Sequence, residues 1–530
     1  MRSHVSSVVR NAFLMMAGTL ASRFLGLVRE IITAAFFGAS RQIDAFNIAY
    51  TLANLLRQLL AEGALSAAFV PIFSRSLQND GRKRALSLAR QAMGTLLIAG
   101  TAIVCIGIAF SPALVALMAP GFDQEKTALA ITLTRQLFPF LLIISLAALA
   151  MGVLNSLDSY FIPAVAPGVS NIVYILLLLL LAPRWGIGCL VIAVIAGGFS
   201  HMLLQWVWSA RLGMTLTPEI PRRRDSDLRR MLALFFPYAA GLSLNQVNPV
   251  VSRMFGSFLQ DGAISVLNYA NRVIQLPLGL FVIAVSQAVL PELSRCVSRP
   301  DEFREIMRDS IRFALFIVFP VTAGMILVSD EMIHLLFYRG AFSEWAWHAT
   351  ASSLALYSLG LPGMACTTVV MRGLYAKGLP REAMWVTLAS VAGNLLLSFF
   401  LVGSFSFEGL AFATSAAFVL SGATGVFLLS RRMGSSIGVF RPDWTLKTVA
   451  ALVCMGACIL FLKNAFPYPL DGTGLLRASW VLAVMVLGAS VYAALTLFFR
   501  FQEWQWILRA LERRRKNTDT SDVERSREER

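Results

Sequence analysis

Residues 161–181 read FIPAVAPGVSNIVYILLLLLL, 21 residues without one Asp, Glu, Lys or Arg. At about 1.5 Å of rise per residue, such a run crosses the roughly 30 Å hydrocarbon core of a bilayer as a single α-helix. Comparable apolar runs lie on either side of it, at about Asn11–Phe37, Ile43–Phe73, Gln91–Met118, Ala128–Leu154 and Ile187–Arg211. A second series occupies about Met231–Phe258, Ile264–Leu293, Ile311–Val328, Ala346–Tyr375, Met384–Val402 and Leu410–Leu429. Two more runs follow at about Leu446–Leu462 and Leu476–Phe499. The expectation is an all-α polytopic membrane protein with about 14 transmembrane helices. A transmembrane β-barrel would show short alternating segments instead.

Composition agrees. Of 530 residues, 57% are hydrophobic and only 14% charged, with a mean hydropathy of +0.68; soluble proteins are nearer ~25% charged. The net charge of +16 would suggest nucleic acid in a soluble chain, but its distribution assigns it to the membrane, and no nucleic-acid partner is expected. Arg82, Lys83, Arg84 and Arg90 fall in one connection, and Arg222, Arg223, Arg224, Arg229 and Arg230 in another. Arg299, Arg304 and Arg308, then Lys377 and Arg381, then Arg431, Arg432 and Arg441 continue the series. The alternate connections, Gly121–Glu125, Gln260–Gly262, Ser329–Glu344 and Gly403–Glu408, are short or acid-leaning. By the positive-inside rule the basic set is cytoplasmic, which places both termini there. Arg2 and Arg10 precede an apolar stretch with no cleavage signal, so the N-terminus reads as a retained first helix.

An internal duplication appears when the first and seventh runs are superposed. Phe37-Gly38 matches Phe255-Gly256, and Ala68, Pro71, Ser74 and Arg75 match Ala288, Pro291, Ser294 and Arg295. Gly152 pairs with Gly373, Asn171 with Asn394, and Gly186 with Gly409 at similar offset. Copies of even crossing number keep one orientation, so two lobes should enclose a midplane site, a common transporter plan. The expected division is an N-lobe over 1–212, a basic cytoplasmic linker over 213–230, a C-lobe over 231–432, two additional helices in 433–500, and an amphipathic tail over 501–530 that fades into disorder.

Charge inside the apolar runs is the most informative feature, because an ion at the bilayer centre costs at least ~2.5–3.5 kcal/mol. Arg23, Arg29 and Glu30 lie in the first crossing, Arg57 and Glu62 in the second, Arg272 in the eighth, and Asp44 near the start of the second. At ~100° per residue Arg23 and Glu30 share a helix face, while Arg29 points about a third of a turn away. Arg29 and Glu30 therefore read either as an anion site or as a structural pair. Arg57 and Arg272 have no acid one helical turn away, and the duplication sets Arg272 opposite Asn54, one turn from Arg57. Guanidiniums converging from both lobes match a phosphate or pyrophosphate gripped in bidentate fashion. Prolines such as Pro139, Pro237, Pro277 and Pro362, with Gly26, Gly38 and Gly63, allow kinks.

Enzyme chemistry finds no support. There is no phosphate-binding glycine loop with a lysine. The histidines His4, His201, His334 and His348 are dispersed, the six cysteines lack metal spacing, and no cofactor or metal is expected.

The run Ser22-Arg23-Phe24-Leu25-Gly26-Leu27-Val28-Arg29-Glu30, with Phe37-Gly38-Ala39, Asp44-Ala45-Phe46, Asn54-Leu55-Leu56-Arg57 and Ala61-Glu62-Gly63-Ala64-Leu65-Ser66-Ala67-Ala68-Phe69-Val70-Pro71, closely resembles the MurJ (MviN) family of lipid II flippases. Tyr269-Ala270-Asn271-Arg272, Leu276-Pro277 and Ala288-Val289-Leu290-Pro291 extend the resemblance. It implies the multidrug/oligosaccharidyl-lipid/polysaccharide exporter fold: two six-helix lobes around a cationic cavity, plus two helices forming a lipid-tail groove. It also implies that Arg23, Arg29, Arg57 and Arg272 bind substrate, with Glu30, Asp44, Asn54 and Glu62 in support. The implied partner is lipid II, an undecaprenyl-pyrophosphate-linked disaccharide peptide, moved from the inner to the outer leaflet of the cytoplasmic membrane by a monomer in contact with membrane lipids. Three positions depart from the pattern. Ala53 replaces a common proline, Glu30 a common Asp, and Asn271 an acid that often precedes the last arginine. A flippase for another lipid-linked oligosaccharide, or a drug antiporter of this fold, is the alternative; an antiporter cavity should be dominated by acids.

Overall fold

The computed structural model describes residues 2–58, 64–222, 225–243 and 246–506. Every regular element among them is helical. In chain order these are α1 (Arg2–Phe37), α2 (Arg41–Arg57), α3 (Ala64–Asn79), α4 (Arg82–Ala109), α5 (Ser111–Met118), α6 (Gln124–Ser156), α7 (Phe161–Trp185) and α8 (Gly188–Arg211). Then come α9 (Ser226–Ser243), α10 (Val247–Gly256), α11 (Ala263–Pro277), a π-helical turn (Leu278–Val282), α12 (Ile283–Arg295), α13 (Pro300–Leu327) and α14 (Ser329–Phe337). The series closes with α15 (Glu344–Ser358), α16 (Leu361–Ala376), α17 (Pro380–Met433), α18 (Pro442–Ala465) and α19 (Gly474–Phe498). Glu62, and the tail beyond residue 506, lie outside the described residues.

Nine helical stretches among the described residues are long and apolar enough to cross a membrane, one of them α11, the π-helical turn and α12 taken together, and ten if the α15–α16 pair, bent by 42°, is one span. With 17 and 16 residues, α2 and α3 are too short to qualify singly. Several expected crossings are broken for identifiable reasons. The run expected at Gln91–Met118 begins as a helix at Arg82 and breaks at Phe110, because Pro112 at the start of α5 cannot continue the ladder. Ser111 Oγ donates to the Ile108 carbonyl at 2.9 Å. Pro277 precedes the π-helical turn that interrupts the eighth run. The runs Met384–Val402 and Leu410–Leu429 join into α17, a 54-residue stretch kinked at Ser406, whose φ is 51°.

Burial follows the logic of a lipid solvent. The apolar window of α6 is 78% buried, so this helix is a core element, whereas those of α7 and α18 are 28% and 22% buried and turn leucines, phenylalanines and valines outward. In water that surface would be a severe liability; in hydrocarbon it costs nothing.

Packing divides the chain into two compact units. The first comprises Met1–Leu276, Leu336–Ser353 and Ser390–Thr414. Within it α7 packs on α1 and α8, and α6 on α2, α4 and α8. Gly38, at φ +61°, ends α1 where the Ala341 carbonyl leaves no room for a Cβ, and Ala341 donates its N–H to the Ala35 carbonyl at 2.8 Å. The second unit comprises Pro277–Leu335, Leu354–Ala389 and Ser415–Arg530. In it α18 and α19 pack on each other and on α13. Tyr492 Oη donates to the Phe316 carbonyl at 3.0 Å, Lys463 Nζ pairs with Glu331 at 2.7 Å, and buried Arg312 donates to the carbonyls of Val439 and Gly438 at 2.7 and 2.9 Å.

Along its described residues, the segment 213–230 is fastened to α4. Glu219 donates its N–H to the Arg90 carbonyl at 3.1 Å, and Arg222 donates its N–H to Gln91 Oε1 at 3.0 Å. Asp225 accepts both terminal nitrogens of Arg84 at 2.7 and 2.8 Å. That bidentate grip holds the Asp225 carboxyl down to about 2.

Candidate functional site

The first unit gathers most of the expected charged residues at the middle of α1. Their placement follows from helix geometry: Arg23 and Arg29 project from α1, Arg57 from α2 and Arg272 from α11. Glu30 is the centre. Its Oε1 lies 2.7 Å from Arg29 Nη2 and 3.7 Å from Arg272 Nη2. The Arg29 and Glu30 side chains are each 14% exposed, so this pair is largely withdrawn, while Arg272 is 32% exposed and available. The structural-pair reading thus describes the Arg29–Glu30 contact in this structure, with Arg272 joining the same carboxylate from a sequence-distant helix.

The surroundings fix Arg29 further. Its guanidinium lies 5.0 Å from the Tyr174 ring centre and 6.0 Å from that of Tyr50, at cation–π range. It also donates to Asn171 Oδ1 at 3.4 Å, and Asn171 Nδ2 donates to the Ser22 carbonyl at 3.2 Å, tying α7 to α1. Gly26 leaves space for this approach. A Cβ there would sit 3.4 Å from Arg272 Nη2 and 3.7 Å from Asn171 Nδ2.

Gln275 connects the remaining cations. Arg23 Nη1 donates to its carbonyl at 3.2 Å, and Arg272 Nη1 donates to its Oε1 at 3.3 Å. Gln275 Nε2 in turn donates to Asn271 Oδ1 at 2.8 Å. This relay answers the departure at Asn271: the neutral amide positions Gln275, while the negative charge facing Arg272 comes from Glu30. Arg272 Nε is buried without a hydrogen-bond partner, so the guanidinium retains a donor unused by protein. Arg57 donates its Nε to Asn54 Oδ1 at 2.8 Å, the one-turn relation expected from sequence.

Asp44 stands apart from this cluster at the N-terminal end of α2. It is 1% exposed and accepts from Gly262 N at 2.8 Å, Ser265 N at 2.9 Å, Ser265 Oγ at 2.6 Å and Lys126 Nζ at 2.9 Å. Sequence reasoning did not single out Lys126, Asn171's role, Tyr174 or Gln275. Asn171 carried one signal, its pairing with Asn394 in the duplication. Asn394 Nδ2 donates to Asn248 Oδ1 at 3.3 Å, and the Phe37–Phe255 offset places Asn248 opposite Glu30. Each of the two paired asparagines thus hydrogen-bonds to an earlier helix, Asn171 to α1 and Asn394 to α10.

Among the described residues no cluster of His, Cys, Asp and Glu suits a metal. What the arrangement offers is cation-rich anion recognition: planar donors on two helices around one removable carboxylate.

Comparison with known proteins gives a consistent picture. A family model described as "Lipid II flippase MurJ" matches residues 33–476. A Rhizobium tropici protein described as "Probable lipid II flippase MurJ" is 33% identical, covering 96% of this chain and 97% of its own. The Burkholderia cenocepacia "Lipid II flippase MurJ" is 30% identical over 89% of this chain and 94% of its own. Among solved structures, "Lipid II flippase MurJ, inward closed conformation" superposes with a TM-score of 0.78 at 26% identity, covering 92% of this chain and 99% of that one. An inward-facing MATE family multidrug transporter of the MOP superfamily shares the fold, with a TM-score of 0.65 at 16% identity over 81% of this chain and 98% of that one.

Proposed function

The chain belongs to the MurJ family of lipid II flippases, and on that premise we propose that its arginine cluster grips the pyrophosphate of lipid II during alternating access. The protein is a multi-pass transporter of the cytoplasmic membrane, not an enzyme. The observation that carries the proposal is the sharing of Glu30 by Arg29 and Arg272. This carboxylate holds together two guanidiniums that would otherwise repel. A pyrophosphate carries more charge and more acceptor oxygens, so it displaces Glu30 from Arg272 and takes the free Nε donor as well. Arg23 and Arg57 complete the cationic lining, Asn54 orients Arg57, and Asp44 and Glu62 act in support.

In this reading the headgroup enters from the cytoplasmic side between lobes formed by 1–212 and 231–432, and leaves outward as they rock. The polyprenyl tail stays in lipid beside α18 and α19. Both termini are cytoplasmic and the working unit is a monomer. Cations rather than acids surround the site, which favours an anionic headgroup over the cationic substrates of a drug antiporter.

The test is reconstitution. Purified protein in vesicles holding labelled lipid II in one leaflet should expose it to an impermeant quencher or enzyme on the other side. Arg272→Ala at equal incorporation should abolish that exchange, and equal exchange by the variant would overturn the assignment.

A further inference from the structure

A second ionic assembly lies at the acid-leaning ends of α2, α6 and α11. Lys126 follows the N-terminal cap of α6, where Asp123 Oδ1 accepts from the N–H groups of Glu125 and Lys126 at 3.1 and 3.0 Å. The lysine is 3% exposed, yet its Nζ carries two carboxylates, Asp44 Oδ2 at 2.9 Å and Asp261 Oδ1 at 2.8 Å, with the Phe122 ring centre at 4.3 Å. Asp44 belongs to the first turn of α2, and Asp261 to the turn that leads into α11. Above them Arg41 pairs with Asp123, with Glu125 at 3.4 Å and with Asp261 at 3.6 Å.

We propose that Lys126 is the pivot of an ionic latch that holds this end of the protein shut, and that its pairs with Asp261 and then Asp44 break in sequence when the end opens. Three features distinguish a latch from a brace. The first is one buried cation joining three chain segments at once, so that parting α2 and α6 from α11 must break at least one of its pairs. The second is graded exposure: Asp44 is 1% exposed but Asp261 is 49% exposed, so water can replace the Lys126–Asp261 pair while Lys126 keeps a counter-charge in Asp44. The third is a waiting partner, because Arg41 already lies beside Asp261 and can keep that carboxylate neutralised as Lys126 withdraws. Gly262 makes the closed geometry possible. At φ +91° it takes a conformation that glycine alone enters cheaply, and its N–H reaches Asp44 while the Ala39 carbonyl leaves no space for a Cβ. Removing only the lysine leaves two carboxylates facing one another, one of them deeply buried, which is the costliest way to break such a site.

The latch rests on the flippase reading only for its transport readout; the distance readout stands without it. Spin labels at Gln124→Cys and Gln260→Cys, with native cysteines replaced, report the separation of α6 from the turn before α11 in full-length protein in lipid vesicles. Lys126→Met should raise the long-distance population about tenfold, and Lys126→Arg should keep most of the short one. The Met variant should also slow lipid II flipping, because the closed state no longer re-forms efficiently. If Lys126→Met fails to accumulate, Lys126→Met with Asp44→Asn removes both buried charges and should still show the long distance. A distance distribution unchanged from the parent, in the single variant or in the double one if that carries the test, overturns the latch. Loss of flipping by Arg272→Ala with normal latch distances separates the two sites.

Discussion

Arg272 has the most to reveal at the residue scale, since it shares Glu30 with Arg29 and carries a buried donor, Nε, that no protein group uses. Arg272→Ala should leave protein abundance in the membrane unchanged and reduce flipping at least about 100-fold, because a charge-assisted bidentate contact to phosphate contributes on the order of 3 kcal/mol. Arg272→Lys keeps the charge but not the planar fork, and should recover only part of the rate. Flipping rates from reconstituted vesicles, normalised to incorporated protein, check both. Arg272 was legible in the sequence because an intramembrane charge is costly and therefore conspicuous. Its partner was only half legible. The adjacency of Arg29 and Glu30 allowed a pair to be foreseen, but that the same carboxylate reaches Arg272 depends on how α1 meets α11, which no local pattern encodes. Lys126 was opaque for the same reason. Beside Glu125 it resembles one of many charges at a helix end, and its burial is decided by Asp44 and Asp261 from elsewhere in the chain.

Breaks between elements were partly legible and partly not. Pro277, one of the prolines expected to allow kinks, precedes the π-helical turn, whereas Pro112, which divides the single crossing expected at Gln91–Met118, went unread, and the kink at Ser406 in α17 has no proline to mark it. At the end of α1, Gly38→Ala should destabilise the first unit by more than the ~1–2 kcal/mol of an ordinary left-handed residue, since the Ala341 carbonyl occupies the Cβ position. A lower unfolding temperature in detergent would register it. The docked linker makes a pH-dependent prediction. Asp225 titrates at about 2 in the folded protein, below the ~3.9 of a free aspartate. Its contribution is therefore complete above about pH 4 and is lost as pH falls toward 2. Amide exchange across 213–222, corrected for intrinsic rates, should stay constant from pH 8 to 5 and rise only in strong acid. Asp225→Asn should raise it throughout. Truncation after Arg441 removes α18 and α19 with the Tyr492 and Lys463 contacts. The expected product is inserted in the membrane but inactive in flipping, and retained transport would deny the two helices a role in holding the lipid tail.

For the whole molecule, composition and apolar period were sufficient to place an all-helical multi-pass chain, and the family resemblance supplied the expected fold and the residues proposed for its anion site. The duplication is a reading of matched residues in the sequence, and its paired asparagines each join two helices: Asn171 ties α7 to α1 through the Ser22 carbonyl and Arg29, and Asn394 ties α17 to Asn248. Orientation is a prediction from arginine asymmetry. A reporter active only outside the cytoplasm should give signal when fused after Gly121 and none when fused after Arg224; the reverse pattern would invert the topology. The central claim is that this chain carries lipid II across the bilayer by way of its arginine cluster. The most direct measurement is the sidedness of lipid II in cells depleted of the native protein and supplied with either the parent chain or Arg272→Ala at matched abundance. Lipid II should reach the outer leaflet with the parent chain and accumulate in the inner leaflet with the variant; outward delivery at the parental rate by Arg272→Ala would deny the arginine cluster its role.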